Sequence, residues 1–196
     1  MKPNNNIPQR KSPRAHWLDY NDGRYFVTVC THGHEHYLGF IENDVMTLSD
    51  VGMFLDNQLR NASMHQSYVS VLQHVVMPNH FHAIIEVDSK IVDNNSRDVA
   101  CNVRENINET KKNSDVACNV PTRKGYNRSL LSTFICSLKS AVTRYANAHH
   151  FSFAWQPRYH DHAIRDHNDY GNISDYITHN VLNWENDCFN LYKMKK

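Results

Sequence analysis

The sequence predicts an α+β fold: a ferredoxin-like antiparallel sheet with helices packed on it, plus a polar flexible insertion. Strand and helix patterns alternate along the chain, which is typical of this class. Two strong strand patterns, over 68–77 and 81–87, are separated only by Pro78-Asn79. A turn this short cannot make a parallel crossover, so the pair must be antiparallel. The helices are then expected on one face of the sheet.

The remaining elements follow from local patterns. The elements predicted before the strand pair are a strand, a hairpin and a helix, covering 25–30, 37–41 with 45–48, and 50 to about 64. The elements predicted after it are a helix, a short strand and a helix, covering 130–148, 160–165, and 168 or 169 to about 183. Ser49 or Asp50 can cap the first helix, because their side-chain oxygens accept from free backbone N–H groups. Asn43-Asp44 favours the hairpin turn.

Domain organisation is predicted from changes in composition. Residues 1–19 form a basic N-terminal arm, and 20–196 form one domain interrupted by an insertion over 88–127. The insertion is dominated by small polar and charged residues, which cannot bury enough surface to offset the entropy of ordering. It contains the hexapeptide DVACNV twice, at 98–103 and 115–120. No physical role for this repeat follows from the pattern.

Composition restricts the class of protein. The 196 residues carry a net charge of +1, with basic residues gathered in clusters, and 14 histidines. Five scattered cysteines without a C-x-x-C pair argue against a disulfide framework or a zinc ribbon, and are predicted to be buried or incidental. No apolar run is long enough to span a membrane, and the N-terminus lacks the apolar core of a secretory signal. A cytoplasmic protein is expected.

The histidines suggest a metal site. In a strand, His80 and His82 point to the same face while Phe81 points to the other, so two imidazoles on one rigid strand could bind an ion. Two rival groups stay open: His160 with His162 in a short strand, and the alternating histidines 32, 34 and 36 after the first strand. Gly33 makes regular strand geometry less secure in the second group. The adjacent histidines 149 and 150 diverge on any element and are discarded.

A third ligand and a nucleophile are expected from elsewhere in the chain. Tyr176 and Asn180 lie four residues apart on the last predicted helix and therefore share a face. An amide oxygen is a competent hard ligand, and a nearby cation would favour the phenolate of a tyrosine. On spacing alone, Tyr176 could equally be an ordinary tyrosine and Asn180 a capping residue.

Several segments together resemble REP-associated tyrosine transposases, the single-tyrosine transposase family of the HUH endonuclease superfamily. Residues 77–82, MPNHFH before an apolar strand, resemble the HUH motif. The resemblance covers the chain from about 12 to 184 without the insertion. The other matching segments are 130–144 with its KSAVTR end, WQPR at 155–158, HDHAIR at 160–165, and Asp175-Tyr176-Ile177 with Asn180. The family commonly has proline after the asparagine, where this sequence has Val181.

The resemblance implies a function and a site. It implies that 20–196 is an HUH-type catalytic domain that cleaves and rejoins single-stranded DNA at REP-type hairpins, as a DNA nickase and strand transferase. Mg²⁺ or Mn²⁺ would be bound by His80, His82 and Asn180 while Tyr176 attacks the phosphate, leaving a 5′-phosphotyrosine and a free 3′-hydroxyl. It implies DNA as the partner, without a small-molecule cofactor or a membrane, and a monomer or homodimer.

Further residues are expected to contact DNA, to pack in the core or to support the site. The basic residues in or beside the matching segments are expected to contact phosphates; they are Arg14, Lys139, Arg144, Arg158 and Arg165. Trp155 is expected in the core rather than stacked on a base, and His162 could orient the site. The alternative functions are a non-catalytic nucleic-acid-binding module of the same fold, and a zinc hydrolase that uses the other histidines.

Overall fold

The structure is a computed structural model that describes residues 20–94 and 128–190. The strands of these residues are β1 Gly23–Cys30, β2 Gly39–Glu42, β3 Val45–Leu48, β4 Val69–Met77, β5 His80–Val87 and β6 His160–Ile164. The helices are α1 Asp50–Arg60, α2 Ala62–His65, α3 Leu130–Ala148 and α4 His167–His179. None of the described helices is both long and apolar enough to cross a bilayer.

The main sheet has four strands in the order β4-β5-β1-β6, and every neighbouring pair is antiparallel. Along the chain, β1 leads through α1 to β4, β4 turns directly into β5, and β5 leads through α3 to β6. This is the ferredoxin-like topology, so the predicted fold class is confirmed. β2 and β3 form a separate hairpin, as predicted.

The core lies between one face of the sheet and the helices α1 and α3. Alternate residues of β1 and β5 point into it, because side chains alternate between the faces of a strand. The core residues of these strands are Tyr25, Val27, Val29, Phe81, Ala83, Ile85 and Val87. Leu55 of α1 and Leu131 of α3 pack against them without any solvent exposure. Burial of each such side chain contributes about 1.5–3 kcal/mol.

Helix α4 lies on the opposite face of the sheet. The expectation that all helices share one face is therefore wrong for this helix. The Tyr176 side chain of α4 contacts His82, whose side chain points away from the core that Phe81 enters. This face of β5 also carries an apolar side chain, Ile84, which is fully buried there.

The ends of α4 differ from those predicted. Asp166 is the N-cap, and its carboxylate accepts a hydrogen bond from the Asp169 N–H at 2.9 Å. The helix ends at His179 instead of 183, because the Asn180 N–H bonds to the carbonyl of Ile177, only three residues back. Such a bond tightens the last turn and interrupts the α-helical pattern.

The predicted arm and insertion fall almost entirely outside the described residues. Only the first part of the insertion is described, and Ser89–Asn94 forms a 3₁₀ helix there. Both DVACNV repeats and Arg14 lie outside the described ranges.

Candidate metal and tyrosine site

Strand β5 brings the His80 and His82 side chains together on the face opposite the core. They are 0% and 1% exposed, and their Nε2 atoms lie 3.0 Å apart. Two neighbouring ligands of an ion at about 2.1 Å would have this separation in octahedral coordination. Successive side chains of β5 point to opposite faces of the sheet, so with Phe81 in the core both histidines point to the other face.

Asn79 fixes the orientation of His80. Its amide nitrogen donates to two carbonyls, those of His34 at 3.1 Å and Phe189 at 2.8 Å. The Asn79 Oδ1 must therefore accept, and it lies 2.8 Å from the Nδ1 of His80. With the proton on Nδ1, the Nε2 of His80 presents its lone pair to the site, as a metal ligand requires.

Thr28 has the corresponding place beside His82. Its hydroxyl lies 2.8 Å from the His82 Nδ1, across the pairing of β1 with β5. Burial lowers the pKa of His82 to about 3. Burial also lowers the pKa of His80 well below its usual value, with further contributions from His82 and His34. Both imidazoles are therefore neutral near pH 7 and can act as ligands.

Helix α4 places Tyr176 at the same point. Its hydroxyl lies 3.2 Å from the Nε2 of His82, although the two residues are 94 positions apart in the sequence. The Tyr176 ring packs edge-on against Phe26 of β1 and is 43% exposed. Burial raises the pKa of the Tyr176 phenol, and the Asp187 carboxylate raises it further. Positive charge would have to be added to favour the phenolate.

Asn180 lies one turn beyond Tyr176 and is 1% exposed. Its side chain hydrogen-bonds the Tyr176 phenol, which opposes the rise of the Tyr176 pKa. Its Oδ1 is buried and has no hydrogen-bond partner among the described residues. A buried acceptor without a partner costs about 1–3 kcal/mol, which a cation bound there would offset. This orphaned oxygen is a direct indication that the site fits a metal ion.

Asp187 is a candidate ligand that sequence reasoning missed. Its Oδ2 lies 3.9 Å from the His80 Nε2, and the ligand atoms of His80, His82 and Asp187 all lie within 4.8 Å of one another. Asp187 follows a 3₁₀ turn, Trp184–Asn186, which has no repeating pattern that could have marked it. Two neutral imidazoles, a carboxylate and an amide oxygen fit a divalent cation.

The rival histidines occupy different places. His34 stacks on Phe189 and His36 lies tilted against Trp184. Both of these aromatic rings also contact His80. The loop after β1 thus forms a wall of the site. His36 has a pKa lowered mainly by burial.

His160 and His162 lie on the site face of β6, opposite Thr28 and Phe26. Both are exposed, and His162 bonds to Asp169 at 2.9 Å instead of the site. A role for His162 in orienting the site therefore stays a prediction without a contact to support it.

The predicted DNA-contacting residues differ in burial and in their surroundings. Lys139 is buried, and its ammonium donates to the Gln156 carbonyl at 2.6 Å. Arg144 lines a groove of about 500 Å³ between α1 and α3, on the face opposite the site. Arg158 and Arg165 are exposed. Arg14 lies outside the described residues, and the contacts of all five residues with phosphate stay predictions.

Two sequence expectations about packing are confirmed. Trp155 is in the core, 8% exposed, and its indole N–H donates to the Lys139 carbonyl. Cys30 is a free, buried cysteine, and burial raises the pKa of its thiol to about 12.

Fold and site together define an α+β protein of ferredoxin-like topology with a two-histidine, asparagine and tyrosine cluster. An uncharacterized protein of Haemophilus influenzae is 31% identical to the chain over 188 residues, which is 95% of this chain and 96% of that protein. The chain belongs to the same family as that protein. No family model matches the sequence.

Two solved structures are similar to the chain at low sequence identity. One is a REP-associated tyrosine transposase bound to a REP hairpin, with 18% identity, a TM-score of 0.49, and coverage of 89% of this chain and 74% of that chain. The other is a candidate transposase of Deinococcus radiodurans R1, with 16% identity, a TM-score of 0.42, and coverage of 86% and 95%.

Proposed function

We propose that the protein is a REP-associated tyrosine transposase: a metal-dependent enzyme that nicks and rejoins single-stranded DNA at REP-type hairpins. The observation that carries this proposal is the 3.2 Å approach of the Tyr176 hydroxyl to the Nε2 of His82. The sequence motifs that resemble the family predict both of these residues. A tyrosine on a surface helix has no structural need to meet a buried histidine pair.

The covalent step would be a direct displacement at phosphorus. The Tyr176 oxygen forms a bond to the scissile phosphorus, and the bond from phosphorus to the 3′-oxygen breaks. The phenol gives up its proton and the departing 3′-oxygen gains one, so the products are a 5′-phosphotyrosine and a free 3′-hydroxyl. Attack by another 3′-hydroxyl reverses the step and joins two strands. Asn180 favours the nucleophile by hydrogen-bonding the phenolate oxygen.

His80, His82, Asn180 and Asp187 would hold the metal ion. Oxygen ligands from Asn180 and Asp187 favour Mg²⁺ or Mn²⁺. When bound, the ion supplies positive charge beside the scissile phosphate and the phenolate. The chain's own contribution is to fix the His80 imidazole through Asn79 and the His82 imidazole through Thr28, and to exclude water behind them.

The test is a covalent adduct assay with Tyr176→Phe. The protein is incubated with a single strand that carries a REP-type hairpin, with and without Mn²⁺, and the products are separated under denaturing conditions. We expect a metal-dependent adduct with the native protein and none with Tyr176→Phe, while hairpin affinity changes by no more than about twofold. Tyr170→Phe on the same helix is the matched control and should keep the adduct.

Two outcomes would count against the proposal. An adduct that persists in Tyr176→Phe would place the nucleophile on another tyrosine. Hairpin binding without metal, and no cleavage with any divalent ion, would favour a non-catalytic nucleic-acid-binding module.

A further inference from the structure

Strand β4 contains an irregularity beside the helix that carries Tyr176. Its pairing with β5 shifts register between Val71 and Gln73, so that Leu72 is an extra residue with no partner on β5. Leu72 is 40% exposed. This is a β-bulge, a feature that changes the direction of the side chains that follow it.

The bulge decides which way Gln73 points. Before it, Val71 pairs with Ile85 and faces the core. After it, Gln73 pairs with Ile84, whose side chain faces the site. In a regular strand Gln73 would share the face of Val71, since residues two apart point the same way. The extra residue therefore turns an amide side chain out of the core and towards α4.

Gln73 uses this direction to bind α4. Its Nε2 donates to the Ser174 carbonyl at 3.1 Å and lies 3.0 Å from the Thr178 hydroxyl. The Thr178 hydroxyl itself donates to the Ser174 carbonyl at 2.9 Å. The two bonded residues stand two positions before and two positions after Tyr176. One side chain thus spans the helical turn that presents the proposed nucleophile.

Other contacts also orient α4: the Tyr176 ring packs edge-on against Phe26, and Asp169 near the start of the helix bonds to His162. Ile177 is the one residue within the helix that is buried. Apolar contacts hold a helix near a sheet, but they fix its rotation only weakly because apolar attraction has no direction. Hydrogen bonds to two points on one turn do have direction. The Gln73 amide therefore helps to fix the rotation of α4 at the turn that carries Tyr176.

We propose that Gln73 is a positioning residue that aims the Tyr176 hydroxyl at the pair of buried histidines. This inference rests on one part of the proposed function, namely that Tyr176 is the nucleophile. Gln73 has no contact with the reacting atoms and acts through the turn from Ser174 to Thr178. A misplacement of about 1 Å of a reacting group can lower a rate about a hundredfold.

The first experiment measures adduct formation with Gln73→Ala. We expect the rate of adduct formation to fall between about tenfold and a hundredfold, while hairpin affinity stays within about twofold of the native value. Ser70→Ala, an exposed position on the same strand, is the control and should change neither quantity. An unchanged rate in Gln73→Ala, or an equal loss of rate and affinity, would overturn the proposal.

The Gln73→Glu variant distinguishes a lost hydrogen bond from lost packing, because only the hydrogen bond would make the rate of adduct formation depend on the protonation of residue 73. A protonated carboxyl can donate to the Ser174 carbonyl as the amide does, whereas a carboxylate can only accept. We therefore expect the ratio of the Gln73→Glu rate to the native rate to rise as the pH is lowered from 8 to 5. A ratio that does not vary with pH would contradict the hydrogen-bonding role.

A third measurement does not depend on DNA. Amide hydrogen exchange of the segment 173–180 reports local opening of the helix. We expect faster exchange there in Gln73→Ala than in the native protein or in Ser70→Ala. If the native protein forms no adduct but exchange is faster in Gln73→Ala, the proposed function fails, while the role of Gln73 in holding α4 against the sheet is supported. Equal exchange in Gln73→Ala and the native protein would by itself refute the role of Gln73 in holding α4.

Discussion

Two strands of the sheet, β5 and β6, carry the same His-x-His pattern, but only the histidines of β5 lie in the candidate metal site. His80 and His82 on β5 are buried, and each has an Nδ1 partner that leaves Nε2 directed at the neighbouring ligand. His160 and His162 on β6 lie on the same face of the sheet, but they are exposed at its edge. The spacing of residues is the same in both pairs. Position in the sheet makes the difference, because a central strand has neighbours on both sides that can fix an imidazole.

The comparison is tested most strongly by removing each pair. We expect His80→Ala with His82→Ala to abolish Mn²⁺ binding and to lower adduct formation at least about a hundredfold, because two of four proposed ligands are lost. Titration calorimetry with Mn²⁺ and the adduct assay measure the two effects.

His160→Ala with His162→Ala is the matched control and should leave Mn²⁺ affinity unchanged. Loss of the metal in this variant instead would move the site to β6. Thermal melts of both double variants show whether the proteins stay folded.

A smaller effect is expected when a partner of a histidine is removed. Thr28→Val keeps the branched shape of the side chain but removes the hydroxyl beside the His82 Nδ1. We expect Mn²⁺ affinity to fall about tenfold to a hundredfold, as happens when a group that orients a ligand is lost. Thr47→Val, on the exposed surface of β3, should have no effect. Equal affinities in the two variants would show that burial alone orients His82.

The smallest expected effect is on stability without metal. Because burial lowers the pKa of His82 to about 3, the unfolded chain binds a proton below the ordinary value of 6.5 that the folded chain does not. Stability should therefore fall as the pH drops below about 6.5, by about 1.4 kcal/mol per pH unit for each such proton. Thermal melts in EDTA between pH 7 and 5 should show a shallower decline for His82→Asn than for the native protein. Parallel declines would mean that the imidazole is accessible to water.

Local patterns were enough to predict most of the fold. The strand pair around Pro78-Asn79 and the apolar period of α3 each depend on residues close together in the sequence. The face on which α4 packs could not be predicted, since it depends on contacts between residues far apart in the sequence. The end of α4 was also missed, because a single hydrogen bond from the Asn180 N–H decides it.

The candidate site was predictable in part. Strand alternation placed His80 and His82 on one face, and helical spacing placed Tyr176 with Asn180. That the two pairs meet depended on the resemblance to a family. Asp187 could not be predicted as a ligand from the sequence. It lies in an irregular segment, where no periodic pattern shows which way a side chain points or which strand it is near.

The distance in sequence between His82 and Tyr176 has a consequence for synthesis of the protein. The N-terminal part of a chain leaves the ribosome first and can fold while the rest is still being made. A nascent chain with β1, β4 and β5 would already carry the histidine pair, yet it would lack α4 and Asp187. Contacts this far apart also form slowly, since a long loop must close. The site can therefore be completed only after Asp187 has been synthesised, and a chain truncated before α4 would carry half of it.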